Sequence, residues 1–263
     1  MRIRITLTPL TYPASMPVNH HPLAAFIYQA VAVAAPNLAG WLHDEGLYSE
    51  ATRMTDRRLK FFVFALPELP PYRFQDEAKC FDAGSVHWQI GSPLPEFIEA
   101  LVAGLAAQEV VRIGRTQFAV TGIEIVTPPV FTDCMRFVAL SPLSVSRTEQ
   151  GADGRRIKHY LRADESDFGR LVAANLRGKY QTLYGAPPAD PTLHFEFDEA
   201  YIRRVGGYAS RRITRLIQYK ETKIKACLAP FIVSGNPDLI RLGWESGFGS
   251  ASSQGFGMAG TGE

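Results

Sequence analysis

The feature that most restricts the fold is the order in which the hydrophobic period changes along the chain. Arg2–Leu7 alternates, with Ile3, Ile5 and Leu7 on one face, as a half-buried strand does. The same two-residue period returns at Lys60–Leu66, Ser85–Gly91 and Gln117–Val126. Between these runs the period changes to three and four, at Pro22–Val33 and Pro93–Ala107, and predicts helices. Pro95 and the acidic residues beside it suit the first turn of the second helix. A shorter helix is expected over Asn37–His43, entered through Pro36 and stopped near Gly46. Apart from that short helix, the order is β-α-β-β-α-β, the split βαβ or ferredoxin-like layout.

The second half restarts the pattern. Arg136–Val145 reads as a strand, and Asp167–Tyr184 as a helix ended by Gly185 and Pro187-Pro188. Strand-like alternation follows at Thr192–Asp198 and in parts of Arg211–Val233. Asn236–Glu245 reads as a helix, and Met258-Ala259 can close a last short strand. The expected class is therefore α+β: two tandem ferredoxin-like (RRM-like) domains with a C-terminal glycine-rich loop. The expected domains are residues 1–127 and 130–263, joined at Pro128-Pro129. At 263 residues the chain can bury such cores without staples. There is no apolar run long enough for a membrane span, and no apolar stretch follows Arg2 and Arg4 as in a signal peptide. Cys80, Cys134 and Cys227 are odd in number and far apart, so neither a disulfide framework nor a zinc site is expected. A reducing cytoplasm suits this usage.

The net charge of +2 hides an asymmetry. Tyr201–Lys225 carries Arg203, Arg204, Arg211, Arg212, Arg215, Lys220, Lys223 and Lys225 against Glu221 alone, a net of +7 that leaves −5 on the rest. Such a run is either a solvated face or the seat of an anionic partner. Arginine predominates, and its planar fork suits phosphate. Tyr201, Tyr208 and Tyr219 are interleaved and can stack on bases.

The tail reads Gly247-Phe-Gly-Ser-Ala-Ser-Ser-Gln-Gly-Phe-Gly257. Glycines this dense let backbone N–H groups approach an anion, or simply make a flexible turn. The loop is neither a Walker A loop, since no Lys-Ser/Thr follows, nor a dinucleotide fingerprint, since the helix precedes the glycines.

This helix followed by GFG-x5-GFG-M resembles the C-terminal signature of the CRISPR repeat-RNA endoribonucleases, the pre-crRNA-processing family called CRISPR-associated protein six. Other segments are similar to that family in the same order. They are Met1-Arg-Ile-Arg-Ile-Thr-Leu-Thr-Pro, Pro17-Val-Asn-His-His-Pro, Pro36-Asn-Leu-Ala-Gly-Trp-Leu-His-Asp and Leu59-Lys-Phe-Phe-Val-Phe-Ala-Leu. Looser similarity runs through Val138-Ala-Leu-Ser-Pro-Leu-Ser-Val and Asn175-Leu-Arg-Gly-Lys-Tyr.

The resemblance implies cleavage of precursor CRISPR RNA within its repeats, without metal or other cofactor. The RNA's 2′-hydroxyl attacks the adjacent phosphate, leaving 2′,3′-cyclic phosphate and 5′-OH ends. By motif, His43 matches the family's catalytic histidine, Tyr28 its tyrosine and Lys60 its lysine, with Arg57 or Arg58 as alternatives for the last. Histidine suits proton transfer near neutral pH, and lysine suits the charge of a phosphorane. Without the family, His43 is a helix-end residue and Tyr28 a core residue. His20 and His21 read as structural or substrate-adjacent. Expected RNA contacts are Arg203, Arg204, Arg211, Arg212, Arg215, Lys223, Gly247, Gly249, Gly255 and Gly257. The partner implied is CRISPR repeat RNA. Association with an interference complex, and the choice between monomer and homodimer, stay open. The alternative function is a catalytically silent repeat-RNA-binding subunit of the same lineage.

Overall fold

A computed structural model describes residues 1–44, 46, 59–150 and 156–262. The first half contains β1 (Arg2–Pro9), β2 (Ala14–Pro17), α1 (His20–Ala34), α2 (Pro36–Asp44), β3 (Val63–Phe64), β4 (Arg73–Gln75), β5 (Ala78–Phe81), β6 (Val86–Gly91), α3 (Pro95–Ala106), β7 (Val111–Ile113) and β8 (Thr116–Ile125). Its main sheet runs β3-β6-β1-β8-β7, with every neighbour antiparallel. That order is the ferredoxin-like one, extended by the β7 edge. Ile5 sits opposite Trp88 on one side and Ile123 on the other. Ile3, Ile5 and Leu7 are buried, as their alternation requires. α1 and α3 pack closely, because a Cβ on Gly104 would lie 1.8 Å from the Ala30 carbonyl oxygen.

The second half contains β9 (Cys134–Ala139), β10 (Ser146–Gln150), β11 (Arg156–Tyr160), α4 (Asp167–Tyr184), β12 (Leu193–Phe197), α5 (Glu199–Arg204), β13 (Thr214–Tyr219), β14 (Thr222–Cys227), β15 (Phe231–Gly235), α6 (Pro237–Ser246) and β16 (Ala259–Thr261). Its sheet runs β12-β15-β9-β16, the same ferredoxin-like order. The tandem α+β expectation holds. Two hairpins, β10–β11 and β13–β14, are inserted into this second unit. A separate small sheet, β2-β5-β4, flanks the first.

Two strands are shorter than their alternation predicts. Arg136–Val145 leaves the sheet after Ala139, where Ser141-Pro142 follows and proline offers no N–H to a ladder. Only Val63–Phe64 of Lys60–Leu66 pairs in the ladder, because Phe61 takes a positive φ of 45°. Leu66 instead donates to the Leu140 carbonyl at 3.0 Å, stitching the halves together.

Arg2 also joins the halves. Arg2 is buried, lies 3.8 Å over the Trp244 ring and donates to the Trp244 carbonyl at 2.5 Å. Burial lowers its pKa from the ordinary value to about 9, against the opposing pull of Glu245. Within the second half, Lys179 on α4, only 3% exposed, donates to the Ser246 and Gly247 carbonyls at 2.9 and 2.6 Å. It satisfies carbonyls that the end of α6 leaves without helical partners.

Candidate nucleic-acid interface

α1 begins at an Asn19 cap, whose side-chain oxygen accepts from the His21 N–H at 2.9 Å. That start sends His20 and His21 in different directions. His20 is buried against Phe64 and Phe256, with Nδ1 3.1 Å from the Gln254 carbonyl. A carbonyl can only accept, so Nδ1 carries the proton of a neutral ring. Desolvation brings the His20 pKa down to about 4; the Gln254 carbonyl opposes the shift and Lys79 adds to it. His20 thus ties the glycine-rich loop to α1. The half-buried His21 ring meets Tyr219 of β13 edge-on, with centroids 5.6 Å apart, and ties α1 to the basic hairpin.

Tyr28 lies two turns further along α1, at the amphipathic spacing that faces it toward the Lys60 segment. The Lys60 ammonium is 5.3 Å from the Tyr28 ring centre, and Phe62 packs edge-on against that ring at 5.3 Å. Ser253 of the glycine-rich loop lies beside the Tyr28 side chain. Burial, then the neighbouring Tyr219, push the Tyr28 pKa well above the ordinary tyrosine value, and the nearby Ser253 only partly offsets them. Tyr28 therefore stays a neutral hydroxyl rather than a phenolate near neutral pH. α2, which ends at Asp44, packs on α1 through the buried Leu42. His43 lies on its last turn, and its side chain is outside the described residues, as are Arg57 and Arg58. So the fold brings Tyr28 and Lys60 together, beside Ser253, which the sequence did not single out. A loop serine carries no periodic or spacing signal that could have marked it.

The four glycines have packing reasons of their own. Gly247, Gly249, Gly255 and Gly257 are all buried. A Cβ on Gly255 would lie 2.5 Å from the Phe64 ring and 2.9 Å from His20 Nδ1. One on Gly257 would lie 2.1 Å from the Phe248 carbonyl oxygen, at a φ of +84° that side chains avoid. Phe248, Ser250, Gly255 and Gly257 donate their N–H groups to protein carbonyls. The half-exposed part of the loop is Ala251–Gln254, which contains the short 3₁₀ turn Ser252–Gln254.

The basic run is spread over three elements. Arg203 and Arg204 end α5, Arg211 and Arg212 lie in the turn before β13, Arg215 is on β13, and Lys223 is on β14; all six are exposed. In the hairpin register Arg215 faces Ala226 and Lys223 faces Gln218. The pleat therefore sends Arg215 and Lys223 to opposite faces. Ile217, Tyr219 and Ile224 share the Arg215 side and pack toward Phe256 and the glycine-rich loop.

Comparison with known proteins places the chain in a family. Residues 15–124 match the family model described as CRISPR-associated protein Cas6, N-terminal, and residues 126–260 match CRISPR associated protein Cas6, C-terminal. The chain is 29% identical over 260 residues to CRISPR-associated endoribonuclease Cas6 1 of Methanocaldococcus jannaschii, covering 98% of this chain and 91% of that protein. It is 28% identical over 266 residues to CRISPR-associated endoribonuclease Cas6 of Pyrococcus furiosus, covering 98% and 89%. A solved structure titled CRISPR associated protein Cas6 superposes with a TM-score of 0.77 at 27% identity, covering 100% and 99% of the two chains. With both halves matched in order and the tandem fold shared, the chain belongs to the CRISPR-associated Cas6 family.

Proposed function

We propose that this protein is an endoribonuclease that cuts precursor CRISPR RNA within its repeats, in the cytoplasm, by attack of the RNA's own 2′-hydroxyl. The observation that carries the reading is the Tyr28–Lys60 pair, set between α1 and the glycine-rich loop on the α1–α2 unit that bears His43. A silent RNA-binding subunit has no need of a cation held over an oriented tyrosine.

In the proposed step a base takes the 2′-OH proton, O2′ bonds to phosphorus, and the P–O5′ bond breaks. An acid then protonates O5′. The products are a 2′,3′-cyclic phosphate and a 5′-OH, and the balance needs no metal. His43 serves proton transfer, which suits an imidazole at neutral pH. Tyr28, held neutral, orients the attacking hydroxyl. Lys60 supplies positive charge where the phosphorane gains negative charge. Arg203, Arg204, Arg211, Arg212, Arg215 and Lys223 hold phosphates, and Gly247, Gly249, Gly255 and Gly257 shape the loop that lies along the RNA.

Repeat RNA incubated with the protein in excess EDTA should still be cut, and RNA carrying a 2′-deoxy nucleotide 5′ of the scissile bond should not. Loss of cutting in EDTA, or cutting of the deoxy RNA, rules out this mechanism. His43→Ala should slow single-turnover cleavage by about 10²–10⁴, with RNA affinity nearly unchanged. A wild-type rate would return His43 to a helix-end role.

A further inference from the structure

A cleft of about 1090 Å³ opens between the small β2-β5-β4 sheet of the first half and β13 of the second. It lies at the start of α1, with His20 in its wall, about 12 Å along the helix from Tyr28. One wall is aromatic. Phe74 on β4 is 70% exposed, and Tyr72 meets it edge-on at 5.3 Å. A large ring this exposed on a short polar strand contributes nothing to either core. The other feature is charge. The Lys79 ammonium stands 5.2 Å over the Tyr72 ring, and Arg215 reaches the same cleft from β13. Burial and then Arg215 lower the Lys79 pKa, so the two cations act on each other across the cleft. Among the described residues neither forms an ion pair. Arg115 also lines the cleft, and Arg73 is paired with Asp82. Asp76 and Glu77, at the positive-φ tip of the β4–β5 turn, are the acidic residues of the lining.

We propose that this cleft is a stacking subsite for a single-stranded segment of the RNA outside the cut bond. Phe74 and Tyr72 take bases on their faces, and Lys79 and Arg215 take the intervening phosphate. The chemistry is that of single-strand recognition, in which exposed rings accept any base and paired cations track the backbone. The inference rests on the RNA-cutting reading above, and adds to it a second contact a few nucleotides from the reacting phosphate.

The test measures the affinity of non-cleavable 2′-deoxy repeat RNA, full-length and shortened from either end. Phe74→Ala should weaken full-length binding about tenfold, within the usual worth of one stacked base, while Phe74→Trp keeps it. Shortening one end should weaken wild-type binding similarly and abolish the effect of Phe74→Ala. Because Phe74 is exposed, circular dichroism should show the variant folded. Lys79→Gln should flatten the slope of log affinity against log salt by about 0.7. Full-length affinity unchanged by Phe74→Ala, a loss that persists whichever end is shortened, or an unchanged salt slope for Lys79→Gln overturns the subsite. In each of those cases the wild type still prefers repeat RNA. If the RNA reading itself fails, the wild type binds repeat RNA no better than unrelated RNA.

Discussion

Single side chains in this protein are decided by what surrounds them rather than by their type. His20 and His21 are neighbours, yet one is buried under the glycine-rich loop and the other faces Tyr219. The His20 pKa falls from 6.5 to about 4 through burial. The unfolded chain therefore takes up a proton that the folded chain refuses between those values. This contribution to stability is full above about pH 6.5 and is lost as pH falls toward 4. Between pH 7 and pH 5 the loss should reach about 2 kcal/mol. His20→Gln keeps a donor for the Gln254 carbonyl and cannot titrate. Denaturant midpoints across that range should show a flatter profile for this variant, and an unchanged slope would place the acid sensitivity elsewhere. The sequence marked these histidines only as structural or substrate-adjacent, because nothing in a His-His pair says which ring an N-cap turns inward.

At the scale of elements, the glycine-rich loop and the basic hairpin are held to each other through Phe256, Ile217 and Ile224. The loop depends on positions where backbone crosses backbone. Gly257→Ala sets a Cβ against the Phe248 carbonyl at a left-handed φ and should cost about 2–4 kcal/mol, or roughly 5–15 °C in Tm. Cleavage should fall with it, since Ser253 is carried by the same loop; a Tm within 2 °C of wild type would show that the loop yields without strain. The hairpin's task is electrostatic. Neutralising Arg211, Arg212 and Arg215 together should weaken RNA binding and reduce the salt slope by roughly 2, about 0.7 for each phosphate contact. An unchanged slope would make the run a solvated face. Alternation revealed the long strands and the paired helices because each buries one continuous face. It did not reveal β4, whose Arg73, Phe74 and Gln75 are all exposed, nor the polar β10–β11 hairpin. Strands without a buried face leave no period to read.

Across the whole molecule, Arg2 is the clasp. It sits in the first strand, stacks on Trp244 of the last long helix, and bonds that residue's carbonyl. Arg2→Met removes both interactions and should cost about 2–4 kcal/mol, read by calorimetry as a lower Tm with a broadened or split transition. A sharp transition at the wild-type temperature would show that the halves are joined by other contacts, such as Leu66 to Leu140 and His20 to Gln254. The sequence by itself determined the α+β class, the doubled strand-helix order, the basic segment and the family resemblance. All of these are carried by local periodicity, local charge or contiguous motifs. Only the tertiary structure decided that Lys60 stands over Tyr28, that Ser253 lies beside it, that the four glycines are packing positions, and that Arg215 and Lys79 share a cleft with Phe74. Each of these joins residues tens to hundreds of positions apart, and sequence order carries no signal for such pairs until the two sheets have formed and brought α1, the hairpin and the loop to one place.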